Sequence, residues 1–276
     1  MRILVTNDDG IESEGLLALA RALTDFGEVV VVAPDRDYSG SSAGFGPLLE
    51  FRPVVRQVDL DVDGAAAWSV TGPPALCVIL ARLGAFGELP DLVVSGINPG
   101  ANVGRAVAHS GTIGAVVTGR LGGISGIAVS QAVDEGAVVG QAVEAAHPGQ
   151  RWQTAAVLAG RLADALLADL PPRPVALNLN VPNLEPEELK GWRRTTIATE
   201  PIRAMQQAGL VPIEGDPGAF HGVLSWGDIV DLPVDTDGGA VEAGYVSVTW
   251  LANVAPEDPT GVDGAEAALD RLLPRV

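Results

Sequence analysis

At 276 residues, 47% hydrophobic and 19% charged, the chain is long enough for a full core and too apolar for wholesale disorder. Its single cysteine, Cys77, excludes an internal disulfide framework and a multi-cysteine zinc site. With 17 Lys and Arg against 35 Asp and Glu the net charge is −18, which disfavours nucleic-acid polymers and anionic membranes but still permits a small phosphorylated ligand held locally by backbone N–H groups and one metal ion.

Arg2 to Thr6 is a short β-branched run that stops at a turn cluster, Asn7-Asp8-Asp9-Gly10, and reads as a buried first strand. The run is too short for the apolar stretch of a signal peptide, and no apolar run approaches the ~20 residues of a membrane span, so a cytoplasmic location is expected. Leu16, Leu17, Leu19, Ala20 and Leu23 recur at helical spacing. Glu28 to Ala33 is a second buried run, ended by Pro34-Asp35. Strand, helix, strand with apolar strands predicts a parallel α/β sheet covered on both faces.

The alternation continues. Leu48 to Leu60 suits one or two strands. Pro73-Pro74 opens a helix over Ala75 to Leu83, since proline is tolerated in a first turn. Asp91 to Ser95 is a third buried strand, followed by a glycine-rich loop over Gly96 to Gly111 and a small-residue helix to about Leu121. Gly126 to Ser130 is a strand, Gln141 to Gln150 an exposed linker, Trp152 to Leu170 an amphipathic helix, and Val175 to Val181 a further strand. The expected fold is therefore α/β, a doubly wound and mostly parallel sheet over residues 1–184, within a single domain.

After Pro182 the texture changes. Residues 185–250 read as a β-rich excursion that includes Trp192-Arg193-Arg194, a loop at Gly215 to Gly222 and a strand over Val241 to Leu251. Ala265 to Leu273 should form a closing helix within residues 251–276. The excursion carries Trp192, Trp226 and Trp250 without an obvious second core. An unpaired ribbon of this kind invites cover by a partner chain, so a symmetric homodimer or larger oligomer is expected.

Ligands of an open α/β sheet bind at the carboxyl ends of its strands. Three predicted loops there are rich in oxygen donors: Asn7 to Gly10, Pro34 to Gly40, and Ser95 to Asn102. The adjacent carboxylates of Asp8 and Asp9 repel unless a cation lies near them, and magnesium or manganese takes such oxygen ligands in octahedral geometry. The alternative is one aspartate capping the next helix and the other solvated. Ser39 and Asn98 are neutral oxygens that would complete a hard-metal set, although such residues in loops also make turns. Ser110-Gly111-Thr112 opens a helix, where hydroxyls and N–H groups suit a phosphate or simply a cap. His109 is either a general acid for the leaving alkoxide or a hydrogen bonder behind the site. His147 and His221 read as surface residues, Cys77 as inert core, and Asp235-Thr236-Asp237 as a turn before the Val241 strand. There is no Walker motif, and glycines 96, 100 and 104 do not fit the dinucleotide fingerprint.

Several ordered motifs resemble the SurE family, the survival protein E nucleotidases. They are Ile3-Leu4-Val5-Thr6-Asn7-Asp8-Asp9-Gly10-Ile11, Val32-Ala33-Pro34-Asp35-Arg36 with Ser39-Gly40, and Thr71-Gly72-Pro73-Pro74-Ala75 with Cys77-Val78. Pro90 to Asn98 with Gly100-Ala101-Asn102, then Ser110-Gly111-Thr112 and Gly244 to Thr249, continue the likeness. The resemblance implies a Rossmann-like core with a protruding arm, and a homodimer or homotetramer built through the C-terminal part. It also implies a metal-dependent phosphomonoesterase, a 5'-nucleotidase or acid phosphatase acting on nucleoside monophosphates. One divalent ion per subunit, Mg or Mn, would be ligated by Asp8, Asp9, Ser39 and Asn98, with Asp8 and Asp9 also catalytic. Asn7, Gly40, Asn102, Ser110, Gly111 and Thr112 are the candidate phosphate- or substrate-binding residues. The chain departs from the family at Ala43-Gly44-Phe45-Gly46, where a His-Ser-Ile-Thr stretch is usual, at Leu76, where an aspartate is usual, and at Pro99, often basic. Two other readings stay open: a divergent metal- and phosphate-binding protein, or a phosphatase of a different small phosphate ester. A haloacid-dehalogenase-like phosphatase needs an Asp-x-Asp pair, which Asp8-Asp9 does not supply.

Overall fold

The computed structural model describes residues 1–46, 52–133 and 149–252. Nine strands form one sheet in the order β3-β4-β2-β1-β5-β6-β7-β11-β8. The strands are β1 (Arg2–Thr6), β2 (Glu28–Pro34), β3 (Val55–Val58), β4 (Ala66–Val70), β5 (Leu92–Pro99), β6 (Ser125–Gln131), β7 (Ala176–Val181), β8 (Trp192–Arg194) and β11 (Val246–Trp250). The block from β4 to β7 is parallel throughout, while β3 and β11 pair antiparallel to β4 and β7. The fold is therefore the expected α/β class with a mostly parallel, Rossmann-like sheet.

The long valine and leucine runs follow from burial on both faces. Ile3, Val5, Val29, Val31, Leu92 and Val94 face helices α1 (Glu14–Leu23) and α4 (Trp152–Ala168). Leu4, Val30, Val32 and Val93 face α2 (Pro74–Arg82) and α3 (Gly111–Leu121). Alternate residues of one strand thus feed opposite cores, which is why these strands read as continuous apolar runs. Cys77 is buried in the second core, as expected, and burial pushes its thiol well above the ordinary range.

The chain runs outward from β1 through β2 to β4, then returns to the other side of β1 as β5, β6 and β7. The direction of winding reverses between β1 and β5. Their carboxyl ends, at Thr6 and Pro99, open the crevice where such sheets bind ligands.

The C-terminal third corrects several expectations. The excursion assigned to residues 185–250 is narrower, because β8 and β11 close the edge of the main sheet. What leaves the sheet is a hairpin of β9 (Arg203–Pro212) and β10 (Phe220–Ile229). Val241 belongs to helix α5 (Asp237–Glu242), not to a strand. Asp235 to Asp237 is accordingly a helix start, with the Thr236 hydroxyl accepting from the Gly239 N–H at 3.3 Å. At the other edge the structure shows β3 and also β4, an alanine-rich strand that the sequence reading missed. The closing helix at Ala265 to Leu273, most of the linker at Gln141 to Gln150, and His147 lie outside the described residues. Among the described residues no helix is long and apolar enough to cross a membrane.

Candidate active site

Asp8 sits in the turn that ends β1 and is almost fully buried. Its Oδ1 accepts the Thr112 hydroxyl at 2.6 Å, and its Oδ2 accepts the Gly111 N–H at 3.1 Å. Gly111 permits this approach, since a Cβ there would lie 2.7 Å from Asp8 Oδ2. The second loop is tied to the first through the Tyr38 N–H, which donates to the Asp8 carbonyl at 2.7 Å. In that loop the Ser39 N–H donates to Asp37 Oδ1 at 2.6 Å, so Ser39 is held at the crevice.

Asn98 reaches the same place through an irregularity in β5. The β5–β6 register shifts between Ser95 and Asn98, and this re-aims the side chain at the strand end. Its amide Nδ2 donates to the Gly100 carbonyl at 2.6 Å, which turns Oδ1 toward Thr112, 3.4 Å away. The single proton of the Thr112 hydroxyl goes to the nearer Asp8, leaving Asn98 Oδ1 as an oxygen donor facing the site.

Asp8, Ser39, Gly40, Asn98, Asn102 and Ser110 line one cavity of about 320 Å³, within the size range of small-molecule sites. His109 stands on its rim. Asp9 faces a second cavity, of about 280 Å³, together with Asp35, Arg36 and Trp152. The Asp9 carboxylate is half-buried as a whole, but its Oδ2 is fully shielded and has no hydrogen-bond partner. Among the described residues no ion pair neutralises Asp8 or Asp9. Burial pushes both carboxyls above the ordinary carboxylate range. For Asp8 the Thr112 and Gly111 hydrogen bonds oppose the rise and the charge of Asp37 adds to it; for Asp9 the charges of Asp8 and Asp37 reinforce it.

Three of the predicted substrate contacts have other duties. Asn7 is buried, and its Nδ2 donates to the Gly10 carbonyl at 3.1 Å and to Ser13 Oγ at 2.6 Å. It shapes the β1–α1 turn. Gly111 and Thr112 lie behind the cavity and act on Asp8 instead of lining the cavity. Ser110 lines the cavity but its Oγ also caps α3, accepting from the Ile113 N–H at 3.2 Å. Asn102 is fixed from below: its N–H donates to Asn180 Oδ1 at 2.8 Å, and its Nδ2 to Ser130 Oγ at 3.0 Å.

The sequence reading missed the opposite wall. Val103, Arg105, Ile202, Arg203, Met205 and Trp226 complete the cavity, several of them from the hairpin and its base. Trp226 was expected to be exposed for an oligomer contact, yet it is half-buried against this cavity. The wall is fastened by Asp237, which is fully buried and accepts the N–H groups of Gly104 at 2.9 Å, Ala198 at 3.0 Å and Gly238 at 2.8 Å. The one available signal was an aspartate directly after a helix-capping threonine.

A model of the survival protein SurE family matches residues 3–204, spanning every strand-end loop of this site. The chain belongs to the SurE family. SurE proteins named 5'-nucleotidase are similar along nearly the whole length. One from Pseudomonas fluorescens strain SBW25 is 40% identical over 252 residues, covering 91% of this chain and 92% of that protein. One from Aeromonas hydrophila is 37% identical over 253 residues, with the same coverage. The crystal structure of the SurE protein from Aquifex aeolicus superposes with a TM-score of 0.75 at 32% identity, covering 98% of this chain and all of that one.

The SurE family implies a divalent ion, and the residues present fit one. Among the described residues neither of the two consecutive carboxylates is in an ion pair, Asp9 Oδ2 is shielded and unpartnered, and the neutral oxygen of Asn98 stands near Asp8 through Thr112. Among the described residues no group of three or more His, Cys, Asp or Glu side chains has metal-holding geometry. The oxygen donors lining the Asp8 cavity include Asp8, Ser39 and Asn98, with Asp9 next in sequence turned to the neighbouring cavity, and oxygen donors of this kind suit a hard cation.

Proposed function

We propose that this chain is a metal-dependent phosphomonoesterase that hydrolyses nucleoside monophosphates, with Asp8, Asp9, Ser39 and Asn98 holding one Mg²⁺ or Mn²⁺. The observation that carries the reading is the Asp8–Asp9 pair at the reversal point of a SurE sheet: Asp8 is buried, Asp9 is half-buried with a shielded Oδ2, and among the described residues neither is in an ion pair. Membership of the family and similarity to proteins named 5'-nucleotidase support the substrate class.

The chemistry a bound cation supplies is polarisation of the phosphoryl oxygens and orientation of the attacking water. The chain's own residues do the rest. Thr112 and Gly111 lock the Asp8 carboxylate in place, so no reorganisation is needed when charge develops beside it. Ser39 and Ser110 bring hydroxyls to the cavity that holds Asp8, within a wall suited to phosphoryl oxygens. His109 on the rim is the group positioned to give a proton to the departing alkoxide.

The test is turnover of a panel of phosphate esters, including AMP, by protein stripped with EDTA and then given Mn²⁺ or Mg²⁺. Activity on monophosphates that disappears on stripping and returns with either ion is the expected result. Undiminished turnover after exhaustive stripping would remove the metal from the mechanism.

A further inference from the structure

The hairpin contains one contradiction. Almost every residue of β9 and β10 is exposed, as a two-stranded ribbon standing off the sheet must be. Trp226, the largest side chain on it, is half-buried, and Gly227 beside it is buried. The strand register explains how. Ser225 pairs with Gln207, but the next residue, Trp226, pairs with Met205, so Gln206 is unopposed; between Trp226 and Ile229 the other strand carries the extra residue. Two irregularities thus bracket the single cross-strand pair Trp226–Met205. Such irregularities bend a strand and re-aim its side chains. The second is fastened by Arg203, whose Nε donates to the Gly227 carbonyl at 2.8 Å.

The pair is aimed into the cavity of Asp8, Ser39 and Asn98. The lining of the cavity is therefore of two kinds. One is carboxylate, hydroxyl and amide oxygens, contributed by the strand-end loops; the other is an indole and a thioether from the hairpin, with Ile202 and Pro201. A phosphorylated ligand that also carries a flat aromatic ring matches both kinds at once. Base–aromatic stacking is tolerant of base identity, because every base has a π-face. The arginines lining the cavity, Arg105 and Arg203, each donate a side-chain Nε to a backbone carbonyl, of Thr199 and Gly227 respectively.

We propose that Trp226 and Met205 form the nucleobase shelf of this cavity. This rests on the nucleotidase reading and adds to it the residues that set leaving-group preference. Recognition is by stacking area, so purine monophosphates bind better than pyrimidine monophosphates, and esters without a ring gain nothing from the shelf.

The test compares wild type, Trp226→Ala, Trp226→Phe and Met205→Ala with Mn²⁺, using AMP and glycerol 2-phosphate as substrates. Trp226→Ala should raise KM for AMP about tenfold with little change in kcat, equivalent to ~1.4 kcal/mol. Its kcat/KM for glycerol 2-phosphate should stay within about twofold of wild type. Trp226→Phe should restore most of the AMP affinity, and Met205→Ala should shift it in the same direction as Trp226→Ala but less. Equal losses on both esters, or an unchanged KM for AMP, would overturn the proposal. Quenching of tryptophan emission by AMP keeps the two readings separable. If wild type turns over neither ester, the phosphatase reading fails, and the shelf is then judged on quenching alone. Quenching present in wild type and lost in Trp226→Phe supports the shelf, and quenching absent from wild type or equal in the two proteins contradicts it.

Discussion

In the nine-stranded sheet, β1, β5, β6 and β7 are buried along their whole length; in the hairpin, nearly every residue of β9 and β10 meets solvent. Both regions contribute to one cavity, and they do so by different physics. The sheet delivers Asp8 and Asn98 from strand ends locked between two cores, so their positions are fixed by packing that the whole domain shares. The hairpin delivers Trp226 and Met205 through two local irregularities and a few hydrogen bonds at its base. On the proposed function, the packed sheet would hold the reacting group and the solvent-exposed hairpin would meet the part of the ligand that varies.

That contrast fails first, and most visibly, if stability does not divide along it. Leu4 is fully buried between β-strand neighbours and α2, so Leu4→Ala should cost roughly 2–5 kcal/mol. Leu224, on β10, is 56% exposed, and Leu224→Ala should stay within about 0.5 kcal/mol. Urea unfolding measures both. Comparable losses would mean that the hairpin is part of the cooperative core.

A smaller effect sharpens the sheet side. Thr112 does not line the cavity, yet its hydroxyl donates to Asp8. Thr112→Val should lower kcat about tenfold, ~1.4 kcal/mol, with KM for AMP nearly unchanged. A change confined to KM would instead make Thr112 a direct substrate contact, as its position at a helix start first implied.

The smallest effect is on the metal-free fold. Asp8 and Asp9 have raised carboxyls in the folded state, so the folded protein binds protons more tightly than the unfolded chain. Their contribution is greatest below the ordinary value of 3.8 and is lost as pH rises through the raised values. In EDTA the melting temperature should therefore fall over that window by a few degrees. Asp9→Asn, which removes the un-neutralised partner, should flatten the slope. A slope unchanged in Asp9→Asn would place its origin in other carboxylates.

The difference between the regions also decides what the sequence made legible. Strands buried on both faces are written as continuous runs, such as Val29 to Val32, and these predict β1, β2, β5, β6 and β7 with their helices. The loops after them inherit their function from place, which is why Asp8, Asp9, Ser39 and Asn98 stood out. The strand β4, Ala66–Val70, is small and alanine-rich and carries no such run. In the hairpin both faces are wet, so no apolar alternation marks the strands, and the irregularities that aim Trp226 inward have no residue code of their own. Asn7, Gly111 and Thr112 were recognisable as site residues but not in their roles. A hydroxyl at a helix start serves a phosphate or a carboxylate equally well, and only the 2.6 Å contact to Asp8 decides between them.

The central claim is that Asp8 and Asp9 form a cation site at the reversal point of the sheet. Calorimetric titration of Mn²⁺ into EDTA-stripped, dialysed wild type, Asp8→Asn and Asp9→Asn tests it most directly, with AMP turnover read on the same samples. Expected are one Mn²⁺ per wild-type chain, and in each variant an affinity at least ~10-fold weaker and a turnover at least ~100-fold lower, the latter ~2.7 kcal/mol of lost transition-state stabilisation. Variants that remain folded, bind Mn²⁺ as tightly as wild type and turn over at similar rates would contradict it.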